Sequence, residues 1–200
     1  MTVLLRLASY LFHPLVIPLL GWVSYILIQP HYPNKILFHT SYKDTLLFLL
    51  IIPIVLWVYL KLRNKIEGWD VEKVNERSLP LFVYVIILLL YLYLTDLEII
   101  LPFKTFIYGI LSSVLTCWIL TFAKSKISLH QMATSALLVF TISLSVFFKV
   151  NLLLYISALI VANGWVASSR LFLGKHRTIE LILGAIIGGT PQLYLVSYWL

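Results

Sequence analysis

His176 and Glu180 stand four residues apart in the stretch SSRLFLGKHRTIE, residues 168–180. On a helix that spacing places both side chains on one face, within contact range. A carboxylate so placed takes the proton of one imidazole nitrogen, fixes the tautomer and leaves the other nitrogen free to attack. Arg170 adds a fork of donors that matches phosphate oxygens, with Ser169 beside it. Further back, His130 offers a second imidazole that can give a proton to a leaving alkoxide. Cations for the equatorial oxygens, an in-line nucleophile and an acid for the leaving group are what phosphoryl transfer needs.

The elements that must hold these groups are set by composition. Of 200 residues, 61% are hydrophobic and 12% charged, and the mean hydropathy is +0.98. A soluble domain carries about 25% charged residues. This chain cannot cover its surface with water-compatible groups, so it reads as an integral membrane protein: one all-α transmembrane domain over residues 1–200. A hydrocarbon core about 30 Å thick asks for roughly 20 apolar residues per helix. Runs of that kind fall near 3–28, 45–62, 79–95, 103–123, 131–148, 151–168 and 179–199. The fifth and sixth are parted only by Lys149, Val150 and Asn151, a tight hairpin or one interrupted segment, so the count is six or seven spans. Pro14 and Pro18 should kink the first, which reads as a retained span rather than a cleaved leader.

The net charge of +7 comes from 15 Lys and Arg against 8 Asp and Glu. These cations lie in short loops between apolar runs, where they set topology or meet lipid phosphate, so nucleic acid is not an expected partner. With seven spans, eleven cations share the N-terminal side and four the other. That excess marks the cytoplasmic face, but a binding site also collects cations, and both orientations stay open. The richest polar clusters fall on that one side: Lys73 and Arg77, Lys124 to His130, and Ser169 to Glu180. Cys117 is the one cysteine, so no internal disulfide forms.

At these clusters the chain resembles the type 2 phosphatidic acid phosphatase superfamily, in its small bacterial branch. SRLFLGKHRTIE reads S-R-x5-H-x3-E against the family's third signature, S-R-x5-H-x3-D. ISLH, residues 127–130, resembles the second, P-S-G-H, in Ser128 and His130. KVNERSLP, residues 73–80, keeps the Lys, Arg and Pro of the first, K-x6-R-P, at altered spacing. The opening YLFHPLVIPL also looks like that branch, and the signature region covers about residues 70–190. The resemblance implies an integral membrane phosphatase of a lipid phosphate monoester or diphosphate, working through a phosphohistidine in the bacterial inner membrane. It implies His176 as nucleophile, Glu180 as the carboxylate that orients it, and His130 as acid for the leaving group. It also implies Arg170, Ser128, Ser169, Arg77 and Lys73 as the residues that hold the phosphate, with no metal or cofactor. Three features depart from the pattern: Glu180 stands where the family has Asp, Leu129 stands where it has Gly, and two apolar spans separate the first two clusters.

Other readings of the same residues are structural. Lys175 and Arg177 fit interfacial anchors that snorkel. His13 beside Pro14 fits a ring that bonds a carbonyl freed by the proline. Asn163-Gly164 and GAIIGG, residues 184–189, fit small-residue packing faces. His31 and His39 fit a solvated loop. The other functional classes are a catalytically inactive relative that binds or transports anionic lipid, and a small transporter in which His13 and Asn163 matter more than His176.

Overall fold

The computed structural model describes residues 2–29, 42–68, 71–95 and 100–199; His31 and His39 lie outside the described residues. Among the described residues there are helices and no strand: α1 (Thr2–Leu11), α2 (Ile17–Ile28), α3 (Tyr42–Leu62), α4 (Val74–Leu94), α5 (Leu101–Phe122), α6 (Leu129–Phe148), α7 (Leu153–Phe172) and α8 (Thr178–Leu195). A 3-10 turn, Val196–Tyr198, follows. Five of these, α3, α4, α5, α6 and α8 with its turn, are long and apolar enough to cross a membrane. The chain is an all-helical membrane protein.

The run 3–28 is not the single kinked helix expected. It is two short helices, of 10 and 12 residues, about 15 and 18 Å long, and neither alone crosses a hydrocarbon core of about 30 Å. Pro14 has no N–H to give and its ring clashes with a preceding carbonyl, so α1 stops at Leu11. Pro18 sits in the first turn of α2, where no donor is needed. Further along, the hairpin reading holds over the interrupted one. Lys149 adopts a left-handed φ of 55°, and Asn151 Oδ1 accepts from the Leu153 N–H at 3.0 Å to start α7.

The bundle is organised around α6, whose most extensive packing is against α8. Gly184 and Gly188 of α8 make that possible. A Cβ at Gly188 would lie 1.9 Å from the Met132 carbonyl oxygen, and one at Gly184 would lie 2.7 Å from that of Ser128. Both pairs are four residues apart, one stripe on each helix, so the two backbones meet directly. Gly188→Ala should therefore lower stability by about 1–3 kcal/mol through overpacking, read as a fall in Tm in detergent. Gly164→Ala is the control: its Cβ meets nothing within 4 Å, so Tm should hold or rise slightly.

Gly164 is thus not a packing contact, contrary to the small-residue reading, and Asn163 is more than one. Asn163 Oδ1 lies 3.0–3.1 Å from Gln131 Nε2, Thr134 Oγ1 and Ser135 Oγ, while its Nδ2 donates to the Thr134 and Leu159 carbonyls. It is the polar hub between α6 and α7, a pattern in which side chains hydrogen-bond across membrane helices.

Candidate functional site

The helix ends decide where the polar clusters go. The N-termini of α4, α6 and α8 and the C-terminus of α7 gather at one end of the bundle. The α7–α8 reversal is a Schellman turn: the Gly174 N–H donates to the Leu171 carbonyl and the Lys175 N–H to the Arg170 carbonyl, both at 3.0 Å. Gly174 has φ +64°, and nothing lies within 4 Å of its Cβ position. The backbone conformation, not the space, requires glycine there. The turn then presents His176, whose N–H lies 3.4 Å from the Arg170 carbonyl.

His176 lies just before α8 rather than on it, and Glu180 lies in the first turn. They still meet, with His176 Nδ1 2.6 Å from Glu180 Oε2. Two effects oppose each other on this imidazole. Burial, helped by the charges of Arg77 and Lys126, disfavours the imidazolium, while the Glu180 carboxylate favours it. Burial wins, and the His176 pKa is pushed down to about 4. The neutral ring donates a hydrogen bond from Nδ1–H to the carboxylate and keeps a lone pair on Nε2. Nitrogen-15 NMR of labelled protein should show this tautomer unchanged from pH 8 to about pH 5. The sign for stability follows. The unfolded imidazole takes a proton near pH 6.5 and the folded one near 4, so stability falls as pH drops through that window.

His130 stands at the start of α6. Ser128 caps that helix, its Oγ accepting from the Gln131 N–H at 3.4 Å. The Ser128 N–H donates to the Glu180 carbonyl at 3.1 Å, which locks the two helix starts together. His130 Nε2 lies 3.2 Å from the Ser9 carbonyl. Arg170 Nη2 lies 2.7 Å from Nδ1 and 2.5 Å from Nε2. Arg170 is 1% exposed and Arg77 is 3% exposed. Arg77 bridges two loops, donating from Nε to the Val71 carbonyl at 2.8 Å and from Nη1 to that of Ile127 at 2.6 Å.

No family model, curated protein or solved structure matches this chain. The site is therefore read from its own geometry. His176, Glu180, His130, Arg170 and Arg77 come together at this end of the bundle, two imidazoles and two buried guanidiniums with one carboxylate.

The remaining candidates are placed otherwise. Lys73 is exposed and pairs with Glu67 and Glu76. Ser169 is buried but faces α1, its Oγ donating to the Leu5 carbonyl at 2.6 Å and lying 3.0 Å from Ser9 Oγ. The Ser128 hydroxyl is turned to its own helix. Lys175 pairs with Glu72. His13 Nδ1 accepts from the Leu15 N–H at 3.3 Å, and its ring stands edge-on to His130 with centroids 5.3 Å apart. Among the described residues, no group of three His, Cys, Asp or Glu side chains could hold a metal ion.

Two contributors carried no motif. Lys126 donates from Nζ to the Lys175 carbonyl at 2.7 Å, tying the loop before α6 to the loop that carries His176. Ser9 supplies a main-chain carbonyl to His130. The cation run at 124–126 pointed to the first; no side-chain pattern reveals a carbonyl.

Proposed function

We propose that this protein is a membrane phosphatase that hydrolyses a lipid phosphate monoester or diphosphate through a phosphohistidine, as its resemblance to the type 2 phosphatidic acid phosphatases suggests. The observation that carries the reading is the His176–Glu180 pair, Nδ1 to Oε2 at 2.6 Å, at an end of the bundle that buries two arginines. The Nε2 lone pair attacks phosphorus as the bond to the lipid oxygen breaks. Arg170 and Arg77 spread their charge over the phosphate oxygens. An incoming phosphate monoanion takes the Arg170 donors from His130 and hands its own proton to that ring. His130 then passes this proton to the departing alkoxide. In the second half water attacks phosphorus, His130 takes back a proton, and His176 leaves as orthophosphate forms. Counting α1 with α2 as one broken crossing and α7 as another gives seven spans. The membrane proposed is the bacterial inner membrane.

A second reading, a catalytically inactive relative that binds or transports anionic lipid, is favoured by one observation. Both guanidinium groups are almost wholly buried and already hydrogen-bonded within the protein. The deciding experiment is orthophosphate release by purified protein in detergent, without added metal, from phosphatidate, phosphatidylglycerophosphate, polyprenyl diphosphate and lipid A. A phosphatase releases orthophosphate from at least one of them. A binder retains the lipid and releases none.

A further inference from the structure

His130 and His13 border a partly open pocket of about 50 Å³ whose other walls are mostly apolar, Leu81, Ile110 and Ala133 among them. Its lining runs along α6 from His130 to Ala136, about 9 Å of helix rise. Mostly apolar walls of this kind favour an apolar occupant over water. The space holds about four methylene-sized groups.

Its position matters because of what His130 does in the reading above, on which this inference rests. An in-line displacement puts the leaving oxygen opposite the nucleophile, and the acid must touch that oxygen. The carbons next to the leaving oxygen therefore lie beside His130, where the cavity begins. A diacylglycerol phosphate branches into two ester arms at the second carbon from that oxygen. The branch does not fit a space of about four methylenes; of the hydroxyls in its wall, Ser113 already donates to the Gly109 and Ile187 carbonyls, and the buried Tyr84 hydroxyl, which has no hydrogen-bond partner, is the one left to meet an ester carbonyl. We infer that the substrate is a single-chain alkyl or isoprenyl phosphate whose first four or so carbons occupy this cavity.

The test uses water-soluble alkylphosphonates, from methyl to hexyl, which cannot be hydrolysed, with Kd measured by calorimetry on the intact protein. Binding should tighten about fourfold per added methylene through about the fourth carbon and then level off, for about 60-fold between methyl and hexyl. Ala133→Leu, and separately the smaller change Ala136→Val, should shrink that ratio to within about threefold of one. Dibutyryl glycerol phosphate should bind no tighter than methylphosphonate. A flat series in the unmodified protein, a slope that survives both fillings, or tight dibutyryl binding lost in Tyr84→Phe overturns the single-chain assignment while leaving a phosphatase in place. If methylphosphonate fails to bind and no lipid releases orthophosphate, the phosphatase reading falls and this inference falls with it.

Discussion

His176→Ala should cut orthophosphate release by at least about three orders of magnitude, with Tm in detergent near that of the unmodified protein. The expectation rests on geometry. Glu180 holds Nδ1 at 2.6 Å, so the only ring nitrogen left with a lone pair is Nε2, and its loss removes the attacking atom itself. Lys175 is the matched control, one residue away on the same turn. Its ammonium pairs with Glu72, a partly exposed contact of small energetic weight, so Lys175→Ala should stay within about threefold. Acid quench of the unmodified enzyme with labelled substrate should trap an acid-labile phosphoryl group that His176→Ala cannot form. Full activity in folded His176→Ala protein would end the phosphohistidine mechanism.

Arg170→Lys should lower kcat/KM by about 10²- to 10³-fold, the effect of losing one well-placed donor to a developing charge. Lysine keeps the charge and loses the planar fork, so at a buried site the two residues are not equivalent. Arg170 is 1% exposed and touches His130 directly, so the substitution disturbs both phosphate and acid. Lys73→Ala should change kcat/KM by less than about threefold, although the resemblance gives Lys73 a phosphate-binding role. The structure leaves Lys73 in solvent with Glu67 and Glu76. The reverse order of effects would mean that the loop before α4 closes over the substrate.

Hydropathy alone revealed the apolar runs, because bilayer thickness sets helix length whatever the packing. The two prolines near residue 16 revealed a weak point, though not that it separates two helices. Spacing revealed the His176–Glu180 pair, because that contact is local. What stayed hidden is mostly long-range. Arg77 reaches Ile127 across 50 residues, and Asn163 gathers three side chains of α6. Such contacts leave no period in the sequence. Ser169 shows the limit of a motif: neighbours on a helix point about 100° apart, so with Arg170 turned to His130, Ser169 faces α1.

The contact between α1 and α7 sets a timetable. Ser9 and Ser169 are 160 residues apart, and at roughly 5–20 residues per second a ribosome needs about 8–32 s to make the chain between them. Until then α1 lacks the surface that will hold it, and its Leu7, Tyr10 and Leu11 are exposed, as they are in the finished protein. The carbonyl that fixes His130 is thus among the earliest groups translated and among the last to be docked. A ribosome that stalls before α7 leaves a chain whose His130 has never met its arginine, Arg170.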